Sequence, residues 1–219
     1  MARLLVRSSL MRHLPDALRR RLSGPLPGLD GQLRMAPRPL LRPDPALDPQ
    51  LRPAAALLLL YPHEGEWHLP LTVRGSGLRH HTSQVSLPGG RIDSGESVEE
   101  AALREAHEEV GVVPSTVEIL GRLTPLSIAV SAHRLHPVVG VASARPPFTL
   151  ATHEVERLIE LPVTRLLMPD AMAWEERVRS LPPHGVMNVP YFEVEGARVW
   201  GATAMILAEF IALLEEVDA

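Results

Sequence analysis

The acidic stretch over residues 88–112 reads PGGRIDSGESVEEAALREAHEEVGV. Two glycines stand at its front, where a backbone must turn tightly or approach another group closely. A helical stretch follows and gathers its acidic residues late. At about 100° per residue, Glu105 and Glu109 lie roughly 40° apart, and Glu108 lies roughly 60° to the other side of Glu105. Three carboxylates therefore share one arc of about 100°.

This arc of carboxylates favours a bound cation, because like charges on neighbouring positions destabilise an isolated helix. Carboxylate oxygens suit Mg²⁺ or Mn²⁺, and Mg²⁺ is usually held by a few carboxylates together with substrate phosphates. The chain has no cysteine and so offers no thiolate for zinc. Arg104 lies one turn before Glu108 and one turn after Glu100, which makes it the expected internal partner of these acids. An exposed acidic helix face is the alternative interpretation.

The spacing of this stretch resembles the Nudix box, the signature of hydrolases that cleave a diphosphate linked to another moiety. The matching positions are Gly90, Glu96, Arg104, Glu105, Glu108, Glu109 and Gly111. Ala106 is smaller than the aliphatic residue usual at its position. The resemblance implies an α+β fold of the Nudix type, an α/β/α sandwich with a mixed sheet between helices. It also implies that Glu105, Glu108 and Glu109 hold the metal together with the Gly90 carbonyl.

An upstream stretch resembles the signature of the coenzyme A diphosphatase branch of that family. The agreeing positions are Leu71, Thr72, Arg74, Arg79 and Pro88 to Gly90. The departing positions are Pro70, Gly75, Ser83 and Leu87. A guanidinium binds phosphate through two parallel hydrogen bonds. We therefore expect Arg74, Arg79, Gly89 and Gly90 to bind the substrate.

The predicted function is metal-dependent cleavage of coenzyme A, or its derivatives, to 4′-phosphopantetheine and adenosine 3′,5′-bisphosphate. The expected cofactor is Mg²⁺ or Mn²⁺, and the expected partner is a small-molecule diphosphate. The candidate catalytic residues are Arg104, Glu105, Glu108 and Glu109, with Glu154 on a later loop as candidate general base. Two alternatives stay open: a Nudix hydrolase for ADP-ribose, dinucleotides or nucleoside triphosphates, and a non-catalytic Nudix-fold binding module. Trp200 is expected either to stack on an adenine or to pack in the core.

Composition narrows the classes of function. With 219 residues, 45% of them apolar, the chain is long enough for one domain with a substantial core. The net charge of −4 gives no general attraction to nucleic acid, and no apolar run is long enough to span a membrane. A cytoplasmic location is expected, and the sequence does not indicate an oligomeric state. All 22 basic residues counted as Lys or Arg are arginine, so any phosphate clamp must use Arg, His or backbone N–H groups.

The N-terminal quarter differs from the rest. Residues 1–52 are predicted to be an Arg- and Pro-rich arm and linker, and residues 53–219 the catalytic domain. Leucines at positions 10, 14, 18 and 22 predict a short amphipathic helix. That helix is interpreted as a leader packed on the domain, an organelle transit peptide or a membrane-surface helix. Residues 25–53 carry many prolines and are predicted to be an extended linker, so removal of residues 1–45 is expected to leave the domain folded.

Alternation and apolar runs predict the remaining elements. The predicted strands are Ala54–Tyr61, Trp67–Arg74, Gln84–Leu87, Val117–Leu123, Leu135–Val141, Glu154–Leu161, Ala171–Val178, Val189–Val194 and Ala197–Val199. Asp93 or Ser94 is the expected cap of the acidic helix. Pro162 is expected to open a short helix, and a long helix is predicted over Gly201–Val217.

Overall fold

The computed structural model describes residues 13–40, 50–75, 84–179 and 184–217. The helices are α1 over residues 13–22, α2 Gly28–Leu33, α3 Val98–Val110, α4 Val163–Leu166 and α5 Gly201–Val217. The strands are β1 Arg52–His63, β2 Glu66–Arg74, β3 Val85–Ser86, β4 Gly89–Arg91, β5 Val117–Arg122, β6 Leu126–Ile128, β7 His133–Ala142, β8 Val155–Pro162, β9 Met172–Val178, β10 Val186–Val194 and β11 Ala197–Trp200. Every predicted strand is present with shifted ends, whereas β4 and β6 were not predicted.

Strand β1 is the centre of an eight-stranded sheet. It runs parallel to β7 along nine residue pairs, and on its other side it pairs antiparallel first with β4 and then with β2. The strand order is β3-β2-β1-β7-β5, with β4, β6 and β8 paired to β1, β7 and β2. Because β1 and β7 are parallel and the other pairs antiparallel, the sheet is mixed, as predicted.

The apolar run of β1 is buried on both faces of this sheet. Leu58 and Leu60 lie in a large core that also contains residues of α1 and α5. Leu57 and Leu59 lie in a smaller core beneath α3. All four side chains are 0% exposed. Helices therefore cover both faces, and the predicted α/β/α sandwich is confirmed.

A second sheet extends the domain beyond β3. It contains three antiparallel strands in the order β11-β10-β9, and β11 packs beside β3. Phe192 and Val199 anchor it in the large core. The Thr203 hydroxyl, near the start of α5, donates a hydrogen bond to the Val85 carbonyl at 3.2 Å. The second sheet and α5 are therefore fastened to the strand that leads into the glycine turn.

Helix α1 packs on the domain, which matches the first interpretation of the arm. Leu14 and Leu18 belong to the large core, and Leu22 packs against it. Position 10 of the predicted leucine stripe lies outside the described residues. No helix of the described ranges is long and apolar enough to cross a membrane.

The prediction of an extended linker over residues 25–53 is wrong at α2. Pro27 occupies the position before the first helical residue, so the prolines of this region leave Gly28–Leu33 free to form a helix. Helix α2 packs against α5, and Met35 just beyond it is buried in the large core. The division of the chain at residue 52 stays a proposal, but the described part of the arm belongs to the packed structure.

Candidate active site

Helix α3 carries the acidic cluster and is fixed at both ends. The Ser97 hydroxyl accepts the Glu100 N–H at 3.2 Å, and the Glu100 carboxylate accepts the Ser97 N–H at 2.8 Å. This reciprocal capping box makes Ser97 the cap and corrects the prediction of Asp93 or Ser94, which lie in the preceding turn. Gly111 ends the helix in the left-handed region at φ 75°.

The glycine turn brings two backbone positions against neighbours that leave no room for a side chain. A Cβ on Gly90 would lie 2.4 Å from the Glu105 carboxyl group. A Cβ on Gly89 would lie 2.4 Å from the Ala55 carbonyl oxygen of β1. The Gly89 N–H also donates to the Glu109 carboxylate at 3.3 Å. Both glycines are therefore needed for the close contact between β4, β1 and the acidic face of α3.

Arg104 holds three carboxylates and one backbone carbonyl. Its guanidinium donates to Glu96 at 2.9 and 3.0 Å, to Glu105 at 2.8 Å and to Glu108 at 3.1 Å. It also donates to the Arg91 carbonyl at 2.9 Å. The predicted pairing with Glu108 is confirmed, but the predicted pairing with Glu100 is wrong, because that carboxylate is used in the helix cap.

Glu105 and Glu109 lie in a partly buried part of the site. Burial raises the pKa of Glu105, although Arg104 opposes the shift. Burial and then the negative charges of Glu105 and Glu154 raise the pKa of Glu109 to about 8, against the Gly89 N–H and Arg74. Such a shift means that the ionised forms lack enough local compensation. A bound cation would supply it.

Glu154 and Arg74 lie close enough to this place for their charges to act on Glu109. The Gly75 N–H donates to the Glu154 carbonyl at 3.1 Å, which joins the end of β2 to the turn before β8. That turn is fixed to α3 because the Ala151 N–H donates to the Glu109 carbonyl at 2.9 Å. The Glu154 side chain is 50% exposed, so solvent can reach it. Its charge acts on both Glu105 and Glu109.

The structure thus brings together most of the residues predicted from the sequence. The group consists of Arg74, Gly89, Gly90, Arg104, Glu105, Glu109 and Glu154. Glu108 is different, since its side chain is 55% exposed and is drawn to Arg104. Position 79 lies outside the described residues.

The donor chemistry of this group fits a hard divalent cation. In the described ranges, no three His, Asp or Glu side chains already converge on a metal position. Arg104 accounts for this arrangement, because its guanidinium holds Glu105 and Glu108. Carboxylate oxygens next to a close-packed glycine backbone are nevertheless the ligands that Mg²⁺ and Mn²⁺ prefer. Glu105 and Glu109 could hold such a cation. Glu108 could join them by giving up its ion pair with Arg104.

Sequence reasoning missed two contributors. Glu96 was recognised only as a fixed position of the box, although it forms two of the hydrogen bonds that orient Arg104. Its separation of eight residues from Arg104 is no helical pairing distance, so periodicity gave no signal. Ser97 was also missed, although Ser followed by Glu three positions later is a capping-box pattern visible in the sequence.

The fold and this site define a hydrolase of the Nudix class, and comparisons with known proteins agree. The NUDIX domain model matches residues 50–181. Proteins named "Uncharacterized Nudix hydrolase NudL" from Enterobacter sp. (strain 638) and from Escherichia coli (strain SMS-3-5 / SECEC) are 36% identical to this chain over 171 residues. The matches cover 78% of the chain and 87% of each relative. The chain therefore belongs to the Nudix family.

Solved structures give more distant likenesses. The MutT protein from Methanosarcina mazei Go1 is 18% identical with a TM-score of 0.47, and the match covers 76% of this chain and 94% of that one. A MutT/nudix family protein from Enterococcus faecalis is 16% identical with a TM-score of 0.48, with coverage of 81% and 66%.

Proposed function

We propose that this Nudix hydrolase cleaves the diphosphate of coenzyme A or its derivatives, releasing 4′-phosphopantetheine and adenosine 3′,5′-bisphosphate. The observation that carries the proposal is the position of Arg74. It belongs to the upstream signature that resembles the coenzyme A diphosphatase branch, and its positive charge acts on Glu109 of the box. A guanidinium beside these acids can donate hydrogen bonds to a phosphate of the substrate.

One departure from the upstream signature is conservative in the structure. Leu87 stands where the branch has phenylalanine, and it is 4% exposed within the large core. An apolar side chain is thus retained at a position that packs directly before the glycine turn. Pro70 is likewise buried, on β2 opposite Glu160 of β8. Both positions remain buried, and neither departure removes a charged residue of the signature.

Glu105, Glu109, Glu108 and the Gly90 carbonyl would hold Mg²⁺ or Mn²⁺. Such a cation would supply positive charge that stabilises the diphosphate and would make a water molecule more acidic. Arg104 orients Glu105 through the contact described above, and Arg74 binds the substrate phosphate. Glu154 is the proposed general base, because its charge acts on Glu105 and Glu109 and its side chain is open to solvent. It would take the proton of the attacking water.

A metal-dependent comparison of substrates tests the proposal. Coenzyme A, dephospho-coenzyme A, ADP-ribose and NADH are assayed with Mg²⁺, with Mn²⁺ and after chelation. Coenzyme A should give the highest kcat/KM. A preference for ADP-ribose or NADH would favour the alternative of a hydrolase for ADP-ribose, dinucleotides or nucleoside triphosphates. Two further departures from the upstream signature, Gly75 and Ser83, keep that alternative open. Absence of turnover on every diphosphate would favour a binding module.

Arginine variants locate the selectivity. Coenzyme A differs from dephospho-coenzyme A only by its 3′-phosphate, and a charge-assisted hydrogen bond contributes about 1.5–3 kcal/mol, or roughly ten- to hundredfold in specificity. If Arg79 binds the 3′-phosphate, Arg79→Ala should narrow the gap between the two substrates and leave ADP-ribose almost unchanged. If it binds the diphosphate, all substrates should slow alike. Arg74→Ala is expected to show the second pattern, because Arg74 lies beside the metal-binding acids.

A further inference from the structure

An arginine–aromatic cluster covers one face of the three-stranded sheet, and the proposed metal chemistry does not use it. The guanidinium carbon of Arg177 lies 4.0 Å from the centre of the Trp200 ring, and that of Arg198 lies 5.0 Å from the centre of the Tyr191 ring. Glu175 pairs with both guanidinium groups. We call these five residues the arginine–aromatic platform.

The platform is built as an ordered surface. The Glu175 side chain is only 15% exposed, and it fixes Arg177 from within the same strand. The Arg177 side chain remains 32% exposed, so solvent reaches part of it although its guanidinium carbon lies over the Trp200 ring. Trp200 is half-buried and belongs to neither hydrophobic core. Packing in the core, one of the two expectations for this residue, does not describe it.

Trp200 and Arg74 both lie on strand faces that turn away from the large core. Val199 is buried in that core, so its neighbour Trp200 turns to the opposite face of β11. On β2, Val73 is buried in the same core, so Arg74 also turns away from it. Neither the Trp200 nor the Arg74 side chain is therefore directed into the apolar interior.

The two places are also close along the chain path. Strand β11 packs beside β3, and the Thr203 hydroxyl reaches the Val85 carbonyl. From Val85 the chain needs four residues to reach Gly89, a path of roughly 13 Å at the rise of a β-strand. A nucleoside attached to a diphosphate at the glycine turn extends over a comparable distance. A substrate of that length bound at the glycine turn would extend as far as β3, the strand beside which β11 packs.

We infer that the arginine–aromatic platform binds the adenine base of the substrate, with the base stacked on the Arg177 guanidinium that Trp200 supports. This inference rests on the proposed function, because it requires an adenosine diphosphate moiety at the box. A planar guanidinium stacks well on flat rings, and the salt bridge to Glu175 holds that of Arg177 over the indole before the ligand arrives. Trp200 thus determines specificity without contacting the reacting atoms.

The chain offers a matched control pair. Arg38 lies 5.9 Å from the centre of the Trp174 ring, so the contact is of the same kind. Trp174 alternates with Glu175 and Arg177 along β9 and therefore lies on the other face of the sheet. It is 44% exposed, which makes it open to solvent but away from the inferred base site.

The experiment compares two ligands that differ only by a base, AMP and ribose 5-phosphate, by calorimetry on the full chain. Wild type should bind AMP roughly 5- to 100-fold more tightly, the range expected for one stacked base. Trp200→Leu and Arg177→Gln should bring the ratio close to one, Trp200→Phe should restore most of it, and Trp174→Leu should leave it at the wild-type value. Unfolding midpoints check that each variant is folded. If Trp200→Leu does not fold, the comparison of Arg177→Gln and Trp200→Phe with wild type tests the inference.

An unchanged ratio in Trp200→Leu and Arg177→Gln, or an equal loss in Trp174→Leu, would overturn the inference. Because these are binding measurements, they are independent of turnover. If wild type cleaves no diphosphate, the proposed function is refuted. If wild type cleaves coenzyme A but binds AMP and ribose 5-phosphate equally tightly, only the base site is refuted.

Discussion

A single buried carboxylate, that of Glu209 on α5, fastens the N-terminal arm to the domain. It is 0% exposed and accepts the Gly28 N–H at 3.2 Å, the Thr124 N–H at 3.1 Å and the Gln32 side-chain amide at 2.8 Å. The same amide donates to the Thr124 carbonyl at 2.8 Å. Glu209→Ala removes the acceptor that these three donors share.

The magnitude follows from what each donor loses. In the variant the Gln32 amide keeps its bond to Thr124, so it loses about 0.5–1.5 kcal/mol. The Gly28 and Thr124 N–H groups, which lie in part-buried contacts, are left without this acceptor, and each costs about 1–3 kcal/mol where no water replaces it. We expect a total destabilisation of about 2.5–7.5 kcal/mol, with water entering the vacated space giving the lower values.

Equilibrium unfolding in urea measures this change as a fall in midpoint at constant slope. The matched control is Glu215→Ala, which removes a carboxylate of the same helix that pairs with Arg34 at 2.7 Å. Both partners of that pair are more than half exposed, so its loss should cost about 0–1 kcal/mol. If Glu209→Ala costs no more than Glu215→Ala, the buried carboxylate does not fasten the arm as we argue.

Four further predictions concern the site and the arm. Glu109→Gln should abolish most turnover while the protein stays folded, because it removes one anionic metal ligand; near-wild-type rate at limiting Mg²⁺ would contradict this. In metal-free protein the pKa of Glu109 is raised from 4.5 to about 8. Between these pH values the folded state holds a proton that the unfolded state releases. The free energy of unfolding should therefore fall by up to about 1.4 kcal/mol per pH unit as the pH rises through this range. Urea titrations at several pH values should show a shallower fall in Glu109→Gln. Gly90→Ala should displace Glu105, since the added Cβ would meet its carboxyl at 2.4 Å, and should reduce kcat/KM more than it reduces the unfolding midpoint. Deletion of residues 1–40 should yield unstable or insoluble protein, because it removes Leu14, Leu18 and Met35 from the large core; a soluble and active truncated chain would show that the arm is dispensable.

The active-site helix was predictable because its information is local. The glycine turn, the Arg104–Glu108 contact and the end of the helix at Gly111 follow from spacings of a few residues. The apolar run of β1 and the patterns of β2 and β7 also placed these strands correctly, whereas β4, a further neighbour of β1, was not predicted. What local spacing cannot supply is the choice between competing partners, which is why Glu100 was assigned to Arg104 and is found in the helix cap instead.

The docked arm was not predictable in the same way. Gln32 and Glu209 are separated by 177 positions, and nothing near either residue indicates the other. The prolines around α2 correctly indicate interruptions of helix, but they do not exclude a six-residue helix between them. The platform shows the same limit, because the Arg177–Trp200 contact appears only once β9, β10 and β11 are paired.

Two buried acids of this chain show how a structural carboxylate differs from a functional one. Glu209 accepts hydrogen bonds from three donors of the protein, and the protein itself supplies the compensation that its burial requires. Glu109 accepts one backbone N–H at 3.3 Å and faces the charges of Glu105 and Glu154. Its raised pKa records the missing compensation, which either a proton or a bound cation would supply. This contrast, which is independent of any signature, supports the proposal that Glu109 binds a cation, whereas Glu209 fastens the arm.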